Sequence, residues 1–336
     1  MMPMTTFTSN GEVPAPWARA LVTGGAGFLG SHLCARLLDS GVEVDCLDDL
    51  STGRAENVAP PAGRAGLRFL ECDIADPACT DALTGPYDLV VHLAGPGCPA
   101  DRPVGPVEVL DTASLGTRHA LAVAGRDGAR FLLASSPPAH GDPRPPGGDD
   151  PVGPHSACTE AARFAEALVA AHAGHGSDAG IVRLYGAYGP RMRTDDGRTV
   201  SALLRQALAG EPVTVTGDGS APHSLCYVDD TVDGMLLVAA SRSVRPVDVG
   251  CAEETTELEL ARRVIELAGT GAPLTFVDGT SGAPPGRPHT GFAQELFGWV
   301  PRVSREEGLR RTVAWFRRPP PAPAPAVAGP GGERLP

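Results

Sequence analysis

Residues 21–33 read LVTGGAGFLGSHL. A short apolar run enters three glycines, Gly24, Gly27 and Gly30, and a helical pattern begins inside the motif and continues to Ser40. The spacing G-x-x-G-x-x-G lets the backbone turn tightly and approach a pyrophosphate, which the free N–H groups of a helix N-terminus then meet. A glycine pattern alone is a weak signal; here it sits in the required strand–turn–helix context. Asp48 closes the next apolar run, Val42–Leu47. A carboxylate there accepts hydrogen bonds from an adenosine ribose diol and repels a 2′-phosphate, so the stretch predicts NAD rather than NADP. Asp73 and Ile74, after a third run, and His92, Leu93 and Ala94, after a fourth, fall where an adenine and a pyrophosphate would be flanked.

Outward from this motif, apolar runs alternate with helical periods. Strands are predicted over 18–23, 42–47, 67–72, 88–93, 130–135 and 180–185, and long helices over 107–125 and 155–173. This alternation predicts an α/β fold, a Rossmann-type doubly wound parallel sheet. After Tyr185 the pattern changes. Helices near 200–209, 229 onward, 257–268 and 306–316 surround short strands at 213–216 and 246–250. They predict a smaller C-terminal substrate lobe that returns strands to the sheet. The expected organisation is a leader (1–16), an NAD-binding domain (17–185), a substrate-binding lobe (186–317) and a Pro-rich tail (318–336). The tail cannot bury enough apolar surface to offset its ordering entropy.

Composition narrows the function. A net charge of −12 argues against a nucleic-acid binder, whose affinity comes mainly from basic side chains meeting phosphates. The longest apolar runs fall short of the ~18 residues a membrane span needs. No secretory pattern opens the chain, and the eight cysteines form no C-x-x-C pair and no zinc-ligand spacing, so no metal is expected. These features predict a cytoplasmic protein with free, mostly buried thiols. All 28 basic residues are arginine; there is no lysine. Any chemistry that needs a lysine is excluded.

The runs TGGAGFLGSHL, LDDLSTGR, CDIAD, VHLAG and RFLLASS resemble the extended short-chain dehydrogenase/reductase family of NAD-dependent epimerases and dehydratases. RLYGAYGPRMRTDDGRTVSALLRQALAGEPVTVTGDGS, YVDD and GWVPRVSREEGLRRTVAWFR narrow the resemblance to the UDP-glucuronate decarboxylase branch. It spans about residues 18–317. It implies a tightly held NAD, a UDP-sugar between the two parts, and a dimer through the two long helices, either with itself or with an intact homologue. Residue by residue, it places Gly24, Gly27, Phe28, Leu29 and Gly30 at the pyrophosphate. Asp48, Asp49, Thr52 and Gly53 fall at the ribose, Asp73 and Ile74 at the adenine, and Leu93 and Thr112 toward the nicotinamide. Arg191, Arg198, His223 and Arg287 fall at positions facing the nucleotide sugar.

The resemblance breaks at the chemistry. The family carries Tyr-x-x-x-Lys on the helix after the fifth strand, where the lysine lowers the tyrosine pKa from about 10 toward neutrality. Here those positions are Cys158 and Ala162. In the loop before that helix, Ser136 keeps a hydroxyl at the family's threonine, but the acidic position is Pro138. His119, Gly186, His223 and His289 are further departures. A thiol ionises more readily than a phenol, which makes Cys158 a candidate base, yet its sulfur stops short of where a tyrosine oxygen would lie. An ordinary buried thiol is the competing reading, and His140 and His155 are other candidate bases. Three functions stay open: a nucleotide-sugar enzyme with repurposed catalytic residues, a catalytically silent binding partner, or an atypical epimerase or dehydratase.

Overall fold

The computed structural model describes residues 16–58, 65–95, 105–136, 154–278 and 287–318, without the side chains of residues 154–156. Pro138, His140, the His155 side chain and nearly all of the expected leader and tail lie outside the described residues.

Strand β1 (Arg19–Thr23) leads into α1 (Phe28–Asp39), β2 (Glu43–Asp48), the single turn α2 (Ala55–Val58), β3 (Leu67–Glu71), α3 (Pro77–Asp81) and β4 (Leu89–His92). Next come α4 (Pro106–Asp111), a π-helical turn (Thr112–Gly116), α5 (Thr117–Asp127), β5 (Arg130–Ser135), the long α6 (Pro154–Gly174) and β6 (Ala179–Leu184). The second half holds β7 (Ala187–Tyr188), α7 (Thr199–Ala209), β8 (Val213–Thr216), β9 (Pro222–Ser224), β10 (Cys226–Tyr227), α8 (Val228–Ala240) and β11 (Val247–Val249). It closes with β12 (Glu254–Thr256), α9 (Glu257–Ala268), β13 (Leu274–Val277), α10 (Gly291–Phe297) and α11 (Arg305–Phe316).

Seven strands form one sheet in the order β11-β6-β5-β4-β1-β2-β3, and every pair is parallel. The pleat sorts each strand between two cores. Ala20 and Val22, Leu89 and Val91, Leu132 and Val182 face one core. Leu21, Val90, Phe131, Leu133, Ala179 and Ile181 face the other. A sheet buried on both faces reads as continuous apolar runs, which is why these strands are plain in the sequence. Each fully buried Val or Leu contributes roughly 1.5–3 kcal/mol relative to exposure. The fold is the expected α/β Rossmann arrangement, and its seventh strand comes from the second half of the chain. No helix among the described residues is long and apolar enough to cross a membrane.

Among the local differences from the sequence reading, three bear on packing and cysteine chemistry. The helix predicted over 107–125 is divided by the π turn, around which the Thr112 hydroxyl donates to the Glu108 carbonyl and the Ser114 hydroxyl to that of Leu110. The expectation of free thiols holds for Cys34, Cys46, Cys226 and Cys251 but not for Cys72 and Cys79, which are joined. Asp76 is the cause: its carboxylate accepts from Ala78 N–H, caps α3 and folds the chain back over the end of β3. The third difference is β13, an unpredicted partner of β8. Its four residues are half-buried to exposed and carry no burial pattern.

Candidate functional site

The C-terminal ends of β1, β2, β3 and β4 converge on the glycine turn. Gly24 adopts a left-handed φ of 71°, and a Cβ there would stand 2.8 Å from the backbone of Leu93 and Ala94. At Gly30 a Cβ would strike the Gly24 carbonyl, so α1 packs against the turn only with glycine at that position. Gly27 caps α1 in an extended conformation with no side-chain bond. The first-turn amides of Phe28, Leu29 and Gly30 are therefore left for a ligand, at the positive end of the helix dipole. An anion fits here.

Asp48 ties this turn to the next loop. It is 6% exposed, and its carboxylate accepts from Ala26 N–H and Leu50 N–H, each at 2.9 Å. Burial raises its pKa, against the lowering effect of those N–H groups. Gly53 lies against the same carboxylate, and Asp49 accepts from the backbone and hydroxyl of Ser51. Asp73 is exposed at the end of β3 and accepts from Ala75 N–H. The Ile74 side chain is 2% exposed, and its carbonyl is engaged by His119 Nδ1 at 2.8 Å, so it anchors the pocket wall from the core. The Leu93 amide donates to Thr23, and the Thr112 hydroxyl is used within its helix. Beneath the turn, His92 Nδ1 meets the Thr23 hydroxyl at 2.7 Å. Complete burial lowers the His92 pKa to about 4, so the ring is neutral at pH 7.

The second half reaches this pocket through two arginines. Arg198 precedes α7, pairs with Asp196 and stands 5.5 Å over the Phe28 ring. Arg193 donates to the Thr52 carbonyl at 3.2 Å and is held by Asp195. The sequence reading did not single out Arg193, whose contact with Thr52 is formed only by the fold. Arg191 goes elsewhere. It has a left-handed φ of 66° and stands beside His32, one turn along α1 from Phe28. Its side chain has no hydrogen bond or ion pair among the described residues, and burial lowers its pKa. Arg287 is exposed, and the following Pro288 packs at Gly250. His223 lies on β9 opposite Thr255, with burial lowering its pKa and its Nε2 without a partner among the described residues.

At the position where proton transfer is expected, Ser136 is exposed at the end of β5, and Cys158 is half-buried on α6. Cys158 is disulfide-bonded rather than a free thiol, so only its reduced form offers a base. Further along α6, Glu166 pairs with Arg183 through contacts of 2.6 and 2.8 Å, and Arg183 and Tyr185 also interact with Asp248. None of the four tyrosines is primed as a base. Tyr87, Tyr185, Tyr188 and Tyr227 are all shifted above the usual phenol value, chiefly by burial.

Residues 20–250 match the model of the NAD dependent epimerase/dehydratase family. UDP-glucuronic acid decarboxylase 1 of Xenopus tropicalis is 36% identical over 309 residues, covering 89% of this chain and 72% of that protein. UDP-glucuronic acid decarboxylase 1 of Arabidopsis thaliana is 38% identical over 308 residues, covering 89% and 70%. Among solved structures, UDP-glucose 4-epimerase of Thermotoga maritima, with UDP-glucose, superposes with a TM-score of 0.79 at 28% identity, covering 89% of this chain and 98% of that one. The dTDP-glucose 4,6-dehydratase of Streptomyces venezuelae, with NAD bound, gives 0.78 at 27% identity, covering 89% and 97%. The uncapped helix, the close-packed glycines and the Asp48 carboxylate fit NAD. On the turn, the sheet order and these matches together, the chain belongs to the NAD-dependent epimerase/dehydratase family.

Proposed function

We propose that the protein holds NAD and a UDP-sugar and acts as a UDP-glucuronate decarboxylase-type enzyme whose proton-transfer residues have been replaced. The observation that carries this reading is the contrast between a glycine turn and Asp48 that fit NAD and a helix α6 with neither tyrosine nor lysine at the positions the resemblance expects. Bound NAD supplies hydride acceptance at C4 of the sugar. A ketone there is β to the C5 carboxylate, and such an acid loses carbon dioxide readily. In this reading the Ser136 hydroxyl hydrogen-bonds the reacting oxygen, and Arg198, beside Phe28, meets the nucleotide phosphates. Reduced Cys158 takes the sugar hydroxyl proton, directly or through one water. Val107, Leu110 and Leu115 on α4 and the π turn, and Phe164 on α6, are 65%, 40%, 41% and 50% exposed. This apolar surface supports a dimer formed through these helices.

A silent partner that binds NAD and a sugar nucleotide without turnover is the second reading, favoured by the disulfide at Cys158. One experiment separates the two. The purified chain is assayed with UDP-glucuronate, with and without a thiol reductant, for carbon dioxide and UDP-pentose. Released dinucleotide is identified after denaturation. Reductant-dependent turnover lost in Cys158→Ser supports the enzyme. Bound NAD with no product under either condition supports the silent partner.

A further inference from the structure

Beside α1 lies a pocket of about 470 Å³ lined by His32, Arg191, Arg310, Arg311, Trp315 and Arg318, with no carboxylate in its wall. Four guanidinium groups in one pocket need an explanation in a chain of net charge −12. Glu307 engages Arg310 and Arg311 from outside the pocket, and Asp229 stands 3.6 Å from Arg311. The side chains of Arg191 and Arg318 have no hydrogen bond or ion pair among the described residues. Arg191 is also partly buried and is held in a left-handed backbone conformation that costs a non-glycine residue energy. Glu306 also acts on Arg310 at longer range, so four cations face three carboxylates, none of which lines the pocket, and positive charge remains directed at it. His32 adds none, because burial lowers its pKa to about 4 and its Nε2 faces the Pro190 carbonyl at 3.0 Å.

The chemistry of the wall specifies the ligand. Planar guanidinium forks match phosphate oxygens. The half-buried Trp315 offers an aromatic surface beside them for a flat base. The volume falls within the range of small-molecule sites. We propose that this pocket binds a nucleoside polyphosphate, with its phosphates on Arg191, Arg310 and Arg318 and its base at Trp315, as a site separate from the glycine turn. The proposal does not rest on the activity inferred above.

The test uses the full chain saturated with NAD and UDP, so that the glycine turn and the sugar-nucleotide position are filled. GTP and inorganic pyrophosphate are each titrated, with binding read by equilibrium dialysis and by tryptophan fluorescence. One GTP per chain should bind, more tightly than pyrophosphate. The double variant Arg310→Ala/Arg318→Ala should weaken GTP by about tenfold or more, as expected for lost charge-assisted bonds. Trp315→Phe should abolish the fluorescence response. Thermal unfolding of each variant is measured to confirm that it is folded. The proposal is overturned if GTP shows no saturable binding, if the double variant binds it unchanged, or if pyrophosphate binds as tightly as GTP.

Discussion

The ends of β1 to β4 and the region around β5 and α6 belong to one sheet, yet they have been treated very differently. At the first, the side chains that shape the turn are tied to backbone or to each other, while His92 Nε2 and the first-turn amides of α1 have no partner among the described residues. Asp48 accepts two amides, His92 meets Thr23, and Gly24 and Gly30 leave no room for a side chain. At the second, the positions where the family resemblance expects tyrosine, lysine and threonine hold Cys158, Ala162 and Ser136. Packing explains part of the difference. A substitution at the glycine turn collides with backbone, whereas one at Ala162 or Cys158 changes a partly exposed helix face and leaves the fold intact. The fold therefore tolerates change at these α6 positions more readily than at the glycine turn.

The largest expected effect tests the second region. Without a tyrosine–lysine pair, decarboxylation of UDP-glucuronate should be ~10² to 10⁴-fold slower than in a relative that carries it, the usual worth of a general base. Equal rates would erase the contrast and put the base on a residue outside α6. Next in size is an acid test of the first region. The folded His92 pKa is depressed from about 6.5 to about 4, so its contribution to stability is complete above the unfolded value and is lost as the pH falls toward 4. The span is on the order of 3 kcal/mol. Urea unfolding between pH 7 and 4 should show this loss in the wild type and a flatter profile in His92→Asn.

Asp48→Ala should weaken NAD binding by roughly 1.5–3 kcal/mol for each ribose bond removed, measured by calorimetry, and should narrow the preference over NADP. Equal affinity of the wild type for NAD and NADP would contradict the assignment of Asp48. The smallest effect is expected at the seam between the halves. Arg193→Gln removes a charged donor from the Thr52 carbonyl and should weaken NAD by about 1 kcal/mol or less while leaving unfolding nearly unchanged.

The first region was legible in the sequence because its constraints are local. A glycine spacing, an apolar strand and an acidic residue at the end of the next strand lie within thirty or so positions, and the structure assembles them as read. What escaped depends on contacts across the chain or on local geometry without a period. Arg193 gains its meaning only when the segment after β7 crosses to Thr52. The π turn leaves the apolar pattern of its helix almost unchanged. Cys72 and Cys79 meet because Asp76 turns the backbone, and nothing in their spacing announces it. Arg191 and Arg198, both read as facing a diphosphate, take separate surroundings, one beside His32 and one over Phe28.

The pairing of β11 with β6 bears on how the chain is made. Residues 179–184 complete their hydrogen bonding only with Val247–Val249, which lie beyond four intervening strands and two helices. On the ribosome, β6 must wait with one edge open while the second half emerges. A nascent chain stalled before Val247 would expose that edge to other chains, and a chain truncated after Tyr185 would keep it permanently exposed. Such a fragment should aggregate even though it contains the whole glycine turn. The two halves are thus joined by the order in which they are synthesised as well as by the sheet they share.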